Sequence, residues 1–329
     1  MIKEPALVEV LRLLRDGAPS TWHACLAHGG AGVAPLDALT QRMLADHGVE
    51  ISLTSDGDAT LQIAGPRDTL NANTILELLP SSAGAGVRKL EVVWTTDSTN
   101  LRLLENARVS SVDGHALAAE HQSAGRGRRG RQWLSPVASN LYLSIGVRLA
   151  RAEQMQALSL IVGVAAADAL GALGYAGIGI KWPNDLQCVG RKLAGILIES
   201  AGPTPEGIQL VIGMGINVRV PAYVGEQIDQ PWIDLAQMTT TPRTRNEICA
   251  AVLAAITSAL AEVRRGDGAQ FFTRFAQYDV LRDKPITVHS ADRQQHGIAR
   301  GIDEKGELLV EYADGVRATS AGEVSIRLS

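Results

Sequence analysis

The run Gly125-Arg126-Gly127-Arg128-Arg129-Gly130-Arg131 strings four guanidinium groups on a chain with three glycines. Guanidinium forks grip phosphate oxygens bidentately, and glycine lets backbone N–H groups approach an anion closely. The run also fits G-x-G-x-x-G, the dinucleotide fingerprint, but its context argues against that reading. Gln132-Trp133-Leu134-Ser135-Pro136 follows where an amphipathic helix is needed, and no acidic residue stands about 20 positions further on to take a ribose. The loop alone suits a phosphate-bearing small molecule, an RNA, or no ligand at all. Lys181-Trp182-Pro183-Asn184-Asp185 follows an apolar run. A lysine at a strand end can aim its ammonium at developing negative charge, with Pro183 holding Trp182 extended. A surface turn with a snorkelling lysine fits the same residues.

Other segments carry weaker signals. Gly190 to Glu199 reads as a tight turn and then a buried strand, in which Gly195 marks close approach of a ligand or backbone, or only a small residue in a core. Gly213-Met214-Gly215-Ile216-Asn217 ends a strand in glycines and an amide, suiting a nucleotide contact or a β-bulge. An irregular loop over 219–231 leads to Trp232, whose indole can close over a planar base. Asp97-Ser98-Thr99-Asn100 has the composition of a helix N-cap that also presents hydroxyls. G-x-x-x-x-G-K-[ST], H-E-x-x-H, G-x-S-x-G and Cys/His metal spacings are absent, and the 7 histidines are scattered.

These residues need a scaffold, and the pattern supplies one. Pro5 to Arg15 and Leu36 to His47 show helical spacing, with Ala24 to Ala27 between them and Gly48 as a stop. Val49 to Leu53 and Thr60 to Ala64 alternate around Ser55-Asp56-Gly57-Asp58, which is hairpin chemistry, and Gly65-Pro66 closes the unit. Helix, helix, helix, hairpin is the order of a winged helix-turn-helix. A linker helix is expected over 71–79. Strands are expected over Lys89–Trp94, Ala116–Glu120, Leu141–Val147, Ile178–Trp182, Leu193–Glu199 and Gln209–Ile216. Helices are expected over Glu153–Leu173 and from a capping box at Thr244-Arg245-Asn246-Glu247 onward. Strands adjoin rather than alternate strictly with helices, which predicts a mixed or antiparallel sheet. Residues 284–329 read as four or five short strands, a small β-barrel.

The 329 residues are 46% hydrophobic and only 4% aromatic, enough for about two domains with an aliphatic core. That composition excludes disorder and low-complexity order. Three cysteines without a CxxC pair predict reduced, buried thiols. No secretory leader or membrane span is expected: charges interrupt the N-terminus, and the apolar run Ala157 to Ala167 is too short. The chain reads as soluble and intracellular. Net charge is −4, unevenly spread, since residues 1–80 hold five basic and ten acidic residues.

Asp97–Asn100, Gln122–Trp133 (QSAGRGRRGRQW), Lys181–Leu186 (KWPNDL), Gly190–Glu199, Gly213–Asn217, Trp232 and Gly322–Arg327 (GEVSIR) stand in an order that resembles the bacterial biotin–protein ligases. The resemblance is to the long, bifunctional type that is also the biotin operon repressor, and it covers essentially the whole chain. It implies an α/β multidomain (α+β) architecture: a winged helix-turn-helix over 1–65, a linker over 66–86, a class II synthetase-like ligase domain with a mixed sheet over 87–280, and an SH3-like barrel over 281–329. The implied reaction is attack of the biotin carboxylate on the α-phosphate of Mg-ATP, giving biotinyl-5′-AMP. The biotinyl group then passes to a lysine of a biotin carboxyl carrier protein. By resemblance Lys181, Arg126 and Arg128 are catalytic. Ser98, Thr99, Asn100, Gln122 and Gly127 join them on the biotin side, and Arg128, Arg131, Asn217 and Trp232 take the adenylate. Biotin, ATP and Mg²⁺ are the implied ligands, with no protein metal ligand assigned. The resemblance also implies a cytoplasmic protein, a ligand-promoted homodimer and no membrane partner.

One part departs from that pattern. The segment matching the recognition helix, Ala34 to Gln41, contains Asp37 and reaches no basic residue before Arg42, and the wing is Ser55-Asp56-Gly57-Asp58. DNA binding neutralises phosphates with Lys and Arg. A unit with acidic residues on both reading elements is repelled instead. The sequence therefore predicts a retained winged helix that shapes the ligase loops, with full ligase–repressor activity as the alternative. A pure DNA-binding regulator conflicts with the intact arginine loop and Lys181.

Overall fold

Apolar alternation decides the central sheet. In β6, Leu141–Leu149, the side chains of Leu141, Leu143, Ile145 and Val147 point to one face, and in β10, Gly207–Ile216, Leu210, Ile212, Met214 and Ile216 do the same. Fully burying an aliphatic side chain contributes roughly 1.5–3 kcal/mol, so this row fixes both strand register and the face that takes helices. The computed structural model describes residues 4–15, 18–28, 36–47, 49–53, 58–63, 68–81, 86–151, 155, 157–289, 294–320 and 325–328. The expected features at Gly48, 29–35, the wing residues 55–57, Gly65-Pro66, Glu153 and Gly322–Val324 lie outside them.

The first unit runs α1 (Glu4–Leu13), β1 (Ser20–Thr21), α2 (Trp22–His28), α3 (Ala38–Asp46), β2 (Val49–Leu53) and β3 (Ala59–Ile63), with strands in the order β1-β3-β2. Asp37 caps α3 by accepting from the Thr40 N–H at 2.8 Å. Leu7, Leu11, Leu14, Trp22, Cys25, Leu44 and Leu61 form its core, and Trp94, Val137 and Tyr223 of the following unit pack against it.

After α4 (Ala72–Leu78) comes a seven-stranded sheet in the order β4-β5-β6-β10-β9-β8-β7. Its remaining strands are β4 (Lys89–Thr96), β5 (His115–Gln122), β7 (Ile178–Lys181), β8 (Asp185–Cys188) and β9 (Arg191–Thr204). β4 and β5 are parallel and every other pair is antiparallel, so the sheet is mixed, as expected. The core face is covered by α4, by α6 (Leu158–Ala172) and by α8 (Arg245–Arg265). α6 starts later than the sequence suggests, after Ala157 in a left-handed conformation at φ 49°. The opposite face receives α5 (Thr99–Ala107), capped by Ser98. β8 was not foreseen, because four residues are too few to show a period.

α8 begins with the anticipated capping box and ends at Gly266 in the left-handed region, φ 97°. By length and composition α8 could cross a membrane, with mean hydropathy 1.5 over an 18-residue window. Its apolar face is instead spent on the sheet core, and its first residue, Arg245, is buried and ion-paired to buried Glu120 at 2.6 Å. β11 to β15 (Pro285–His289, Gln294–Ile302, Leu308–Tyr312, Gly315–Thr319, Ser325–Leu328) form a five-stranded antiparallel sheet. Its turn at Gly306 accepts the Trp182 indole N–H at 3.0 Å, tying this sheet to the end of β7. Cys25, Cys188 and Cys249 are free and buried.

Candidate active site

Small residues hollow out the α5 face of the sheet. Ser144, Gly195, Gly213 and Gly215 are neighbours there across β6, β10 and β9. A cavity of about 850 Å³ opens above them, and every site residue named from the sequence lines it. That volume is ample for a ligand of drug size or larger.

The glycines answer the question the sequence left open. A Cβ on Gly213 would stand 2.1 Å from Asn100 Oδ1, and one on Gly215 would stand 2.5 Å from the Trp133 ring. The register is regular at both, and the bulge falls at Gln209/Leu210 instead. These glycines therefore make room for the protein's own side chains, neither as a bulge nor as a bare nucleotide platform. Gly195 likewise lies under Trp133, 3.1 Å from Cβ to ring.

At one end of the cavity, Ser98, Thr99 and Asn100 form the first turn of α5 and are buried, beside Gln122 at the end of β5. Gln122 Oε1 accepts the Thr99 N–H at 2.9 Å, and Gln122 Nε2 donates to Ser135 Oγ at 3.0 Å. Buried hydroxyls and amides of this kind discriminate strongly for a ligand with matching polar groups. The Trp133 Nε1 donor nearby is buried without a protein partner.

At the other end the glycine–arginine loop folds over itself. Gly127 N donates to Arg131 O at 2.8 Å and Trp133 N to Gly125 O at 2.9 Å. Arg129 sits in the left-handed region, φ 58°. Arg128 reaches across to Asn184 Oδ1 at 3.0 Å, and Asn184 Nδ2 is fixed on Ile196 O at 2.8 Å. Burial lowers the Arg128 pKa, helped by Arg129 and opposed by Asp185. An arginine begins so high that it keeps its charge. Lys181 ends β7 on the same wall.

Sequence reasoning passed over Lys192. Its ammonium is 2.9 Å from Asp185 Oδ1, largely buried, and 5.5 Å from the Trp133 ring centroid. Beside Arg191 it resembles one of two solvated turn charges, and a turn-plus-strand reading gave no reason to face it inward. The one available signal was the glycine two residues before it, which shortens the hairpin and sets its register.

Asn217 and Trp232 lie where the nucleotide side was expected, with their polar groups committed to the chain. Asn217 Nδ2 donates to Ile233 O at 3.1 Å, and Trp232 Nε1 to Gly225 O at 3.2 Å. The loop 219–231 is less irregular than expected, because it contains the short helix α7 (Ala222–Gly225). Its helix meets the first unit: Tyr223 Oη is 3.0 Å from His47 Nε2, and Arg42 pairs with Glu226 at 2.9 Å. Asp185 and Asp229 are the carboxylates on the cavity wall, and no cluster of three metal-ligating side chains occurs among the described residues.

Known proteins resemble this chain over most of its length. The Biotin/lipoate A/B protein ligase family model matches residues 92–217, and the Biotin protein ligase C terminal domain model matches 283–327. The Bifunctional ligase/repressor BirA of Escherichia coli (strain K12) is 37% identical over 286 residues, 86% of each chain. The Biotin--[acetyl-CoA-carboxylase] ligase of Mycobacterium tuberculosis is 35% identical over 250 residues, 74% of this chain and 90% of its own. Among solved structures, the biotin protein ligase from Aquifex aeolicus in complex with biotin and ATP superposes with a TM-score of 0.65 at 29% identity, covering 74% of this chain and 100% of that one. Two matching family models, and relatives 37% and 35% identical over 86% and 74% of this chain, lead to one conclusion: the chain belongs to the biotin protein ligase family.

Proposed function

We propose that the protein is an ATP-dependent biotin–[acetyl-CoA-carboxylase] ligase. The observation that carries this is the joining of the buried polar pocket at Ser98–Asn100 and Gln122 to the arginine loop within one cavity. In the first step a biotin carboxylate oxygen attacks the α-phosphorus of ATP, and pyrophosphate leaves with the electrons of the broken P–O bond. An anion must approach a polyanion, and preorganised cations lower that barrier. Arg126 and Arg128 take this role with Lys181, and Lys192 adds a fourth charge on the same wall. Ser98, Thr99, Asn100, Gln122 and Gly127 hold biotin, with amides and hydroxyls matched to its ureido ring. Arg131, Asn217 and Trp232 face the adenylate, and the loop 219–231 excludes water from the mixed anhydride. In the second step a neutral lysine amine attacks the anhydride carbonyl, AMP leaves, and the amine proton passes to solvent.

The acceptor is a biotin carboxyl carrier protein, and the location follows as cytoplasmic. Mg²⁺ bound to the ATP phosphates would screen their charge. The described residues offer no three-ligand metal cage, and the carboxylates on the cavity wall are Asp185 and Asp229. We read residues 1–65 as a winged helix-turn-helix, 66–86 as the linker, 87–280 as the class II synthetase-like domain and 281–329 as an SH3-like barrel. Adenylate-promoted homodimerisation belongs to the same reading. The test is ATP–pyrophosphate exchange dependent on biotin, followed by transfer to a carrier domain. Equal exchange with lipoate in place of biotin would overturn it.

A second reading, a ligase that also represses a biotin operon, draws support from the identity with bifunctional relatives over 86% of the chain. Charge opposes it. Asp37 caps α3, and Arg42, the sole basic residue of that helix, is paired with Glu226. We expect no biotin-dependent binding to biotin-gene promoter DNA at low salt. Tight binding that falls steeply with salt would establish the second reading.

A further inference from the structure

Glu199 stands on the site face of β9, in line with Gly195 and Leu197. Its carboxylate oxygens are divided between two partners. Oε1 lies 2.8 Å from Arg126 Nη2, and Oε2 accepts from Asn100 Nδ2 at 3.0 Å. The Asn100 amide can face only one way. Its Nδ2 also donates to Leu197 O at 3.2 Å, and its Oδ1 lies 2.6 Å from the hydroxyl of Ser144. An amide oxygen carries no proton, so Ser144 donates to it. The Thr99 hydroxyl, 2.7 Å from Ser144 Oγ, is then the donor to Ser144. Thr99 N–H serves Gln122, Gln122 serves Ser135, and Ser135 Oγ donates to Trp133 O at 3.0 Å. A continuous polar chain therefore leaves the glycine–arginine loop at Arg126, crosses the pocket floor, and rejoins the loop at Trp133. Its one link between full charges is Arg126–Glu199.

We propose that Glu199 is a positioning residue for adenylation, which latches Arg126 over the biotin side and fixes the Asn100 amide before substrates arrive. The latch rests on the assignment of Asn100 and Arg126 to biotin given above. Both of its partners present N–H donors. A glutamine at 199 offers one acceptor and one donor, so one link faces donor against donor in either rotamer. Preorganisation lost in the free enzyme is recovered from binding energy, which raises KM more than it lowers kcat.

Glu199→Gln is expected to raise the biotin KM in ATP–pyrophosphate exchange about tenfold, with kcat falling less than roughly threefold. Ser144→Ala removes the donor that orients Asn100 from the other side and gives the same split, and it carries the test if Glu199→Gln does not fold. The double variant Glu199→Gln/Arg126→Gln is expected to bind biotin no worse than Arg126→Gln alone. Folded Glu199→Gln and Ser144→Ala proteins with an unchanged biotin KM overturn the latch, as do additive effects in the double variant. Asn100→Ala separates the two layers. An unchanged KM there removes the pocket assignment itself. A raised KM there, beside an unchanged one in Glu199→Gln, removes the latch alone.

Discussion

Arg128 and Lys192 face the same cavity from different chain segments, and each spends part of its charge on the protein: Arg128 on Asn184, Lys192 on Asp185. A cation so held costs little to reorganise when phosphate arrives. Removing either one is expected to slow adenylation by roughly a hundredfold or more while the fold persists. Rates of pyrophosphate exchange and circular dichroism of Arg128→Ala and Lys192→Ala check this, and normal turnover in a folded variant would remove that residue from the site. Gly215→Ala should act through Trp133, whose ring lies 2.5 Å from the new Cβ; the indole must shift, and the biotin KM is expected to rise about tenfold or more. The glycine–arginine loop was legible as an anion-binding candidate, but by itself it fitted an RNA contact or a solvated loop equally well. Lys192 was not legible, because an inward charge is defined by its partner across a hairpin, and a linear reading cannot see Asp185 opposite it. Gly195 was legible as a close approach, whereas Gly213 and Gly215 read as a nucleotide contact or a bulge, because the side chains that approach them, Asn100 and Trp133, come from distant segments.

The elements that carry these residues were readable wherever local chemistry is strong. The capping box at Thr244 and Glu247 marks the start of α8, and both reciprocal bonds form. Thr244→Ala is expected to cost about 1 kcal/mol, read as a lower melting temperature. One residue later, Arg245 joins Glu120 and the backbone of Asp68 with almost no exposure. Breaking a buried pair strands the other charge, so Arg245→Ala should destabilise by about 3 kcal/mol or more. β8 and the helix inside the 219–231 loop escaped notice because each is too short for a period to emerge.

At the junction of β7 with the chain after α9 (Gln270–Phe275), Asp279 Oδ2 is buried with no hydrogen-bond partner, and burial raises the Asp279 pKa. A carboxylate with a raised folded pKa binds its proton more tightly when folded. Its charge therefore costs no stability below the unfolded pKa and its full cost above the folded one. Asp279→Asn should raise the melting temperature more at pH 7 than at pH 4 relative to the parent, and an equal shift at both would show that the charge is not what destabilises.

Across the whole molecule, the core of the first unit is completed by Trp94, Val137 and Tyr223 from the second. Trp94 Nε1 also donates to Val8 O at 3.2 Å. No periodicity reports such a seam, since each residue looks like an ordinary partly exposed aromatic or aliphatic within its own element. Tyr223→Ala in the full chain is expected to raise the ATP KM about fivefold. An unchanged KM would mean that α3 and the loop do not communicate.

The contact of His47 and Arg42 with Tyr223 and Glu226 has a thermodynamic corollary. If that contact favours the loop conformation that holds nucleotide, reciprocity requires nucleotide to strengthen the contact by the same factor. The first unit then reports on catalysis without touching a substrate. Amide hydrogens of α3 should exchange more slowly once the adenylate forms, and any molecule that seizes α3 becomes an inhibitor or activator of biotin activation acting from outside the cavity.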